Sequence, residues 1–572
     1  MPAGFRSPID VAIVPGGKYA LTANHTSHSV SLIELASGKV VAEESCGQKP
    51  SAVACSRDGA QVAVSNLWSG TVSLFQRREA RLQPLGQVAV GPLPHGLVFA
   101  ADGRSLYVAV AGADEIARVD CGSRKITWRT PAPREPRQLV LSPDGRWLAA
   151  ASARSGQVRC WDTSNQQLIW ERTIGDGFNL RGLAFTADGK SLICSHSVRR
   201  SLPVAKTNIE EGWVMDSRLT RLDLDPKAVP GMGQIAMDER SKAVGDPYGA
   251  ALGGSGRWLA VTGSGTHELL LFEVKALPWN AGEPGDVLDP ILTDRPGKFR
   301  RLPLGGRPLT VAFMATQDKV VIANYLQDAL QVVDCETGKV VQTISLGPSV
   351  PPSLARKGEA LFYDAQRSTH QWFSCNTCHV EGHTCGLNFD TLNDDSYGNP
   401  KLTPTLRNVT HTGPYTWHGW QKDLGAAVEK SLTQTMFGAK PTADQKQALL
   451  AFLETLDNPP NPHRGPAGKL SAGAERGEKL FRGKAGCIRC HRGPYYTSPG
   501  TYDVKLEPDD SPYDLWNPPS LLGLWDRGPY LHDGRSKTLE ELLTEDHTPD
   551  KVGGENLTDA ERKDLIAFLL SL

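Results

Sequence analysis

A turn followed by a short apolar strand recurs along the first ~350 residues, at intervals too regular for chance. It is written PGGKYAL at Gly17, RDGAQVAV at Gly59, ADGRSLYV at Gly103, PDGRWLAA at Gly145 and ADGKSLIC at Gly189. It returns as GSGRWLAV at Gly256 and TQDKVVIA at Asp318, and the first four spacings are 42, 44, 42 and 44 residues. Each unit offers a second strand, such as SVSLIEL, TVSLFQ, EIARVD or LQVVD. Asp-Gly between alternating apolar runs is a hairpin signal, because the glycine takes up the positive φ of the turn. A period of 40–45 residues with about four strands per unit predicts propeller blades, and seven units predict a seven-bladed propeller from about Ser7 to Gly347. The wider gap between Gly189 and Gly256 predicts an insertion near residues 198–245.

Periodicity changes near residue 350. A proline-rich joint, SVPPSLARKGEALF, leads into helical patterning that repeats internally. ARKGEALF (355–362) recurs as AERGEKLF (474–481), and CNTCH (375–379) as CIRCH (487–491). TPTLRNVTHTGPYTWHG (403–419) recurs as NPPSLLGLWDRGPYLHDG (517–534), and TADQKQALLAFLETL (442–456) as LTDAERKDLIAFLLSL (557–572). The expected fold is multidomain, an all-β seven-bladed propeller followed by two mainly α-helical cytochrome c-like domains. The expected bounds are 1–350, 351–460 and 461–572.

Cys-x-x-Cys-His gives the function class. Two thiols on one short turn can each add to a haem vinyl group, and the adjacent His then reaches the iron. Cys375, Cys378 and His379 form one such site; Cys487, Cys490 and His491 form the other. A redox dithiol or half a zinc site also uses Cys-x-x-Cys, but the following His and the duplication favour two separate covalent haems c. Candidate sixth ligands are His383, His411, His418 and Met436 in the first half, and His532 and His547 in the second.

Seven of the eleven cysteines lie outside these motifs. Buried free thiols are the expectation for them, with Cys46–Cys55 open as a bridge. A formal net charge of −1 gives no reason to expect nucleic acid or an anionic membrane as partner. No apolar run reaches the length of a membrane helix. The first residues lack the basic and apolar regions of a signal peptide, whereas haem c attachment implies export to the periplasm or beyond.

The unit NYLQDALQVVDCETGKVVQTISLG resembles the YVTN-type propeller repeat. The duplicated domains, with PYLHDGRSKTLEELL in the second, resemble the bacterial di-haem cytochrome c peroxidase and MauG superfamily over residues ~353–572. The resemblance implies a haem oxidoreductase that takes electrons from a small cytochrome c or cupredoxin. It would reduce peroxide, or oxidise a partner protein through high-valent haem. It places the second haem's sixth ligand at His547 and matches Trp417 to the tryptophan between the haems. Family peroxidases have Phe-Trp-Asp-Gly where this chain has Thr416-Trp417-His418-Gly419. They also carry a glutamate near SLTQTMFG, where this chain has Met436. Met436 or His418 as sixth ligand would close the first haem, which leaves open an electron-transfer protein without peroxidase activity, the propeller docking its partner. A third reading is a binding protein whose propeller loops hold His25, His28, His95, His196 and His267. Calcium between the domains is typical of the family, but no ligand cluster in the sequence fixes it.

Overall fold

A computed structural model describes residues 4–225, 231–279, 285–315, 317–394, 396–506 and 513–572. From Pro8 to Ser345 the chain forms seven four-stranded antiparallel sheets, each built from four consecutive strands. The sheets span Pro8–Ser45, Pro50–Ala89, Pro94–Pro131, Pro136–Thr173, Gly177–Ala236, Pro247–Pro303 and Pro308–Ser345. The first strand of each sheet packs against the first strand of the next, and the ring closes from the seventh sheet to the first. This is a seven-bladed propeller. The seam is held by Asp328, whose Oδ1 accepts from the amides of Arg6 and Ser7 at 2.7 and 2.6 Å.

The repeated apolar strands are the buried ones: Tyr19–Asn24, Ser105–Val110 and Trp258–Gly263 are covered along their whole length. The expected insertion lies in the fifth blade, whose helix Lys206–Glu210 separates strands Ser191–Arg199 and Met215–Asp223. It packs toward the C-terminal module: Val204, Ile209, Val214 and Met215 share one apolar core with Phe362, Phe373 and Met436. Two expected loop histidines are in strands instead. His95 lies in Pro94–Phe99 and His196 in Ser191–Arg199, because each flanks apolar residues whose alternation carries it into the sheet.

The C-terminal module repeats one helix pair. Leu354–Phe362 crosses Ala443–Leu453, and Ala472–Arg482 crosses Asp559–Leu570. The glycine of R-x-G-x-x-L-F is the crossing point. A Cβ at Gly358 would lie 1.8 Å from the Ala448 carbonyl oxygen, and one at Gly477 would lie 2.0 Å from that of Asp564. Beside each crossing, Phe362 meets Phe452 at 5.1 Å and Phe481 meets Phe568 at 5.3 Å between ring centres. Ser353 and Ser471 cap the first helices; Thr442 and Thr558 close capping boxes on the second. Among the described residues no helix is long and apolar enough to cross a membrane.

Candidate functional site

Cys375–Cys378 is a single helical turn, begun by a capping box in which the Ser374 and Thr377 side chains exchange bonds with each other's backbone. Its cysteines line a cavity of about 460 Å³, which Met436 and Trp417 also face. That size is ordinary for a cofactor site. The ring of His379 is fixed by its Nδ1, 2.9 Å from the carbonyl oxygen of Pro404. The ring of His491 is fixed in the same way, 3.1 Å from that of Tyr496. A histidine anchored by Nδ1–H on a carbonyl offers Nε2 to a metal. Burial pushes His379 down to about 4 and also lowers His491, so both imidazoles are neutral near pH 7.

Burial pushes the thiols of Cys375 and Cys487 up to about 12 and raises those of Cys378 and Cys490. A redox dithiol needs a lowered pKa, so these pairs do not have its character. Among the described residues no group of three or more His, Cys, Asp or Glu comes together to hold a metal ion, so the two motifs do not converge on a zinc site. All eleven cysteines are free, Cys46 and Cys55 included.

The two halves treat their candidate sixth ligands alike. Helix Leu424–Lys430 runs into a π-turn, Ser431–Thr435, and Met436 follows. Helix Leu539–Glu541 runs into a π-turn, Leu542–Asp546, and His547 follows. Each closes with an amide bonded five residues back, Met436 to Ser431 at 2.9 Å and His547 to Leu542 at 2.8 Å. Such turns displace one residue from the helical register and are common at functional sites. Met436 is 2% exposed. Burial lowers His547 to about 4, with nearby His491 adding repulsion. Its Nδ1 is buried without a hydrogen-bond partner, an orphaned atom of the kind a bound group would explain. The residues present therefore fit haem c at both motifs: thiols on a turn, an oriented histidine, and a soft or imidazole side chain on a repeated π-turn.

The other candidates have different settings. His383 is buried with Nδ1 2.8 Å from Thr405 Oγ1, and its Nε2 lies 3.6 Å from Asp526. His411 is half-exposed and stacks on Tyr495. His418 lines the same cavity as Met436, and its Nδ1 donates to the Leu515 carbonyl at 3.0 Å, so Nε2 is the ring atom that would bind a metal. Its ring lies 4.5 Å from Trp516 and 4.9 Å from Trp420. Trp516 in turn stacks on His532 at 3.8 Å, and His532 meets Trp417 edge-on at 6.4 Å. These rings form one aromatic stack where the two helical halves meet. Backbone bonds tie it across the joint, Asn517 N to Trp417 O at 2.8 Å and Leu402 N to His532 O at 2.5 Å. Sequence reasoning missed Trp516, which lies outside every repeated segment's haem signal.

It also missed the propeller's share of the site. Asp246, just before the innermost strand of the sixth blade, accepts from Ser374 Oγ and Thr377 Oγ1, both at 2.5 Å. Glu381, two residues past His379, reaches Arg137 at 2.7 Å and Arg181 at 3.1 Å on the innermost strands of the fourth and fifth blades. Burial alone would raise Glu381, but the two guanidinium groups win and hold its carboxyl well below the usual range. No local motif marks contacts made across 128 to 244 residues. Of the propeller histidines, His25 holds the Pro50 carbonyl, His28 accepts from Lys49 N, and His267 faces Asp364 of the helical module.

Comparison with known proteins agrees with this geometry. Residues 352–459 match the family model for di-haem cytochrome c peroxidase, and residues 474–572 match that for cytochrome c. The chain is 25% identical over 274 residues to hydrazine synthase subunit gamma of Kuenenia stuttgartiensis, covering 38% of this chain and 77% of that one. It is 27% identical over 289 residues to the methylamine utilization protein MauG of Methylorubrum extorquens, covering 39% and 79%. It is 25% identical over 273 residues to cytochrome c551 peroxidase of Nitrosomonas europaea, covering 38% and 79%. A solved structure of Kuenenia stuttgartiensis hydrazine synthase aligns with a TM-score of 0.52 at 25% identity, over 58% of this chain and 97% of that chain.

Proposed function

We propose that this chain, whose C-terminal module is of the di-haem cytochrome c peroxidase and MauG type and so carries covalently bound haem c, is an exported oxidoreductase with unequal haem sites. In this reading Cys375 and Cys378 hold the first haem and His379 is its proximal ligand. Cys487, Cys490 and His491 do the same for the second. Haem c supplies one-electron redox chemistry at both places and, where a sixth position opens, a site for a small oxidant such as peroxide.

The observation that carries the reading is the repeated π-turn, which presents Met436 in one half and His547 in the other. Thioether ligation favours a higher potential than imidazole. Electrons from a small donor protein therefore run downhill from the second site to the first. Trp417, His532 and Trp516 lie between the halves and shorten that path. The roomy cavity is at the first site, and Met436 is the ligand there that can give way to a substrate.

A second reading, electron transfer alone, rests on a specific observation. The π-turn before Met436 reads SLTQT and itself carries no carboxylate to move a proton during peroxide cleavage, the cavity's carboxylates, Asp390 and Asp394, coming from another segment. Redox-titrated electron paramagnetic resonance of the holoprotein, followed by peroxide, separates the two. A high-spin haem in the half-reduced state that reacts with peroxide supports the oxidoreductase. Two low-spin haems in every state, inert to peroxide, leave electron transfer.

A further inference from the structure

The propeller does more than face the helical module; it grips the first haem motif at both ends. Asp246 binds both hydroxyls of the capping box that starts the Cys375–Cys378 turn. Past His379 the backbone turns through a positive φ of 53° at Glu381, whose amide donates to Asn376 Oδ1 at 2.8 Å. The Glu381 carboxylate then enters the propeller axis between Arg137 and Arg181, which are 8% and 4% exposed. Arg137 also pairs with Glu135, and Glu135 with Arg154. Beyond them lies a polar cavity of about 50 Å³, bordered by His95, Tyr248 and Asp10. The second motif has a different setting: its own Arg489 and the following Arg492 are exposed, and Arg492 bonds to the Arg489 carbonyl at 3.1 Å.

A buried ion pair held this firmly fixes local charge, because removing either partner leaves the other uncompensated in a medium of low polarity. Ferric haem gains one electron on reduction and its charge falls by one. Fixed negative charge nearby therefore opposes that reduction, and fixed positive charge favours it.

We propose that the propeller is a working part of the first haem site: Asp246 holds the Cys375–Cys378 turn, and the Arg137–Glu381–Arg181 bridge sets the first haem's reduction potential without reaching the second. This rests on the di-haem reading, and the test keeps the two apart. Pyridine haemochrome on each purified holoprotein first counts the haems; fewer than two in the wild type overturns the di-haem reading itself. Potentiometric titration then follows each haem by visible absorption and electron paramagnetic resonance.

Glu381→Gln is expected to raise the midpoint of the first haem alone, and Arg181→Gln to lower it. The double variant, which restores the wild-type net charge of the bridge, is expected to return toward the wild-type value. Arg181→Lys keeps the charge and is expected to stay close to wild type. If Glu381→Gln gives no folded holoprotein, the two Arg181 variants carry the test. Unchanged midpoints in Arg181→Gln and Glu381→Gln, or equal shifts of both haems, would overturn the proposal.

Discussion

Gly358 offers a test with opposite signs on the two sides of the argument. In an exposed helix interior, glycine to alanine stabilises by roughly 0.8–1.0 kcal/mol. At Gly358 the new Cβ would stand 1.8 Å from the carbonyl oxygen of Ala448, 2.4 Å from its carbon and 2.9 Å from Phe452 Cβ. Real Cβ atoms essentially never come within 3.0 Å, and two of these neighbours are backbone. Helix Leu354–Phe362 must therefore back away by more than ~1 Å, taking Phe362 out of its contact with Phe452 and disturbing one wall of the cavity. Overpacking of this kind costs about 1–3 kcal/mol and overrides the propensity gain. Native-state hydrogen exchange reads the effect where it occurs. Protection of the amides in 354–362 and 443–453 is expected to fall about 5- to 150-fold in Gly358→Ala. The amides of 472–482 and 559–570 should be unaffected, and Gly477→Ala should reverse that pattern. Equal or greater protection in 354–362 would refute the crossing as the reason for glycine.

Other outcomes follow from the sites. Met436→Ala should turn the first haem alone high-spin, and His547→Ala the second alone, as seen by electron paramagnetic resonance; a spectrum unchanged by either removes that residue as a ligand. Cys375→Ala with Cys378→Ala should leave one haem per chain by pyridine haemochrome, whereas two would mean that the first motif does not attach it. His196 is buried, donates from Nδ1 to Ser197 O and holds Thr220 Oγ1 at 2.7 Å. Burial lowers it from 6.5 to about 4. The unfolded chain thus binds more protons between those values, and stability due to this group falls as pH drops through that window. Relative to His196→Gln, the wild type should lose roughly 3 kcal/mol between pH 7 and pH 4 by denaturant titration; a constant difference would refute the neutral buried ring.

The blades were legible because each is local. A turn, a buried strand and its hairpin partner lie within about 44 residues, and a glycine marks every return but the last, where Asp318 stands. The helix pairs were legible for a similar reason, since the duplication repeats their capping and aromatic residues. The equivalence of Met436 and His547 was hidden. Met436 falls twelve residues after the start of its helix at Leu424, and His547 eight after Leu539. One extra turn in the first helix breaks the alignment, and only the shared π-turn restores it. His95 and His196 read as loop residues because their strands run past the apolar core. Glu381 gave no signal, since its partners are 244 and 200 residues away. Its charge pattern is that of any surface glutamate until the ring brings Arg137 and Arg181 to the axis.

The seam of the ring has its own logic. Asp328 joins the two ends of the β-structure through the backbone of Arg6 and Ser7, with no strand exchanged between the outermost sheets. Beside it, Arg356 on the first helix beyond the ring donates to the Tyr325 carbonyl at 2.8 Å and lies over the rings of Phe5 and Tyr325. That guanidinium works as a latch, supplied by the portion of the polypeptide made later. Because Arg356 belongs to the helical module, the seam of the ring is completed by a residue from outside it.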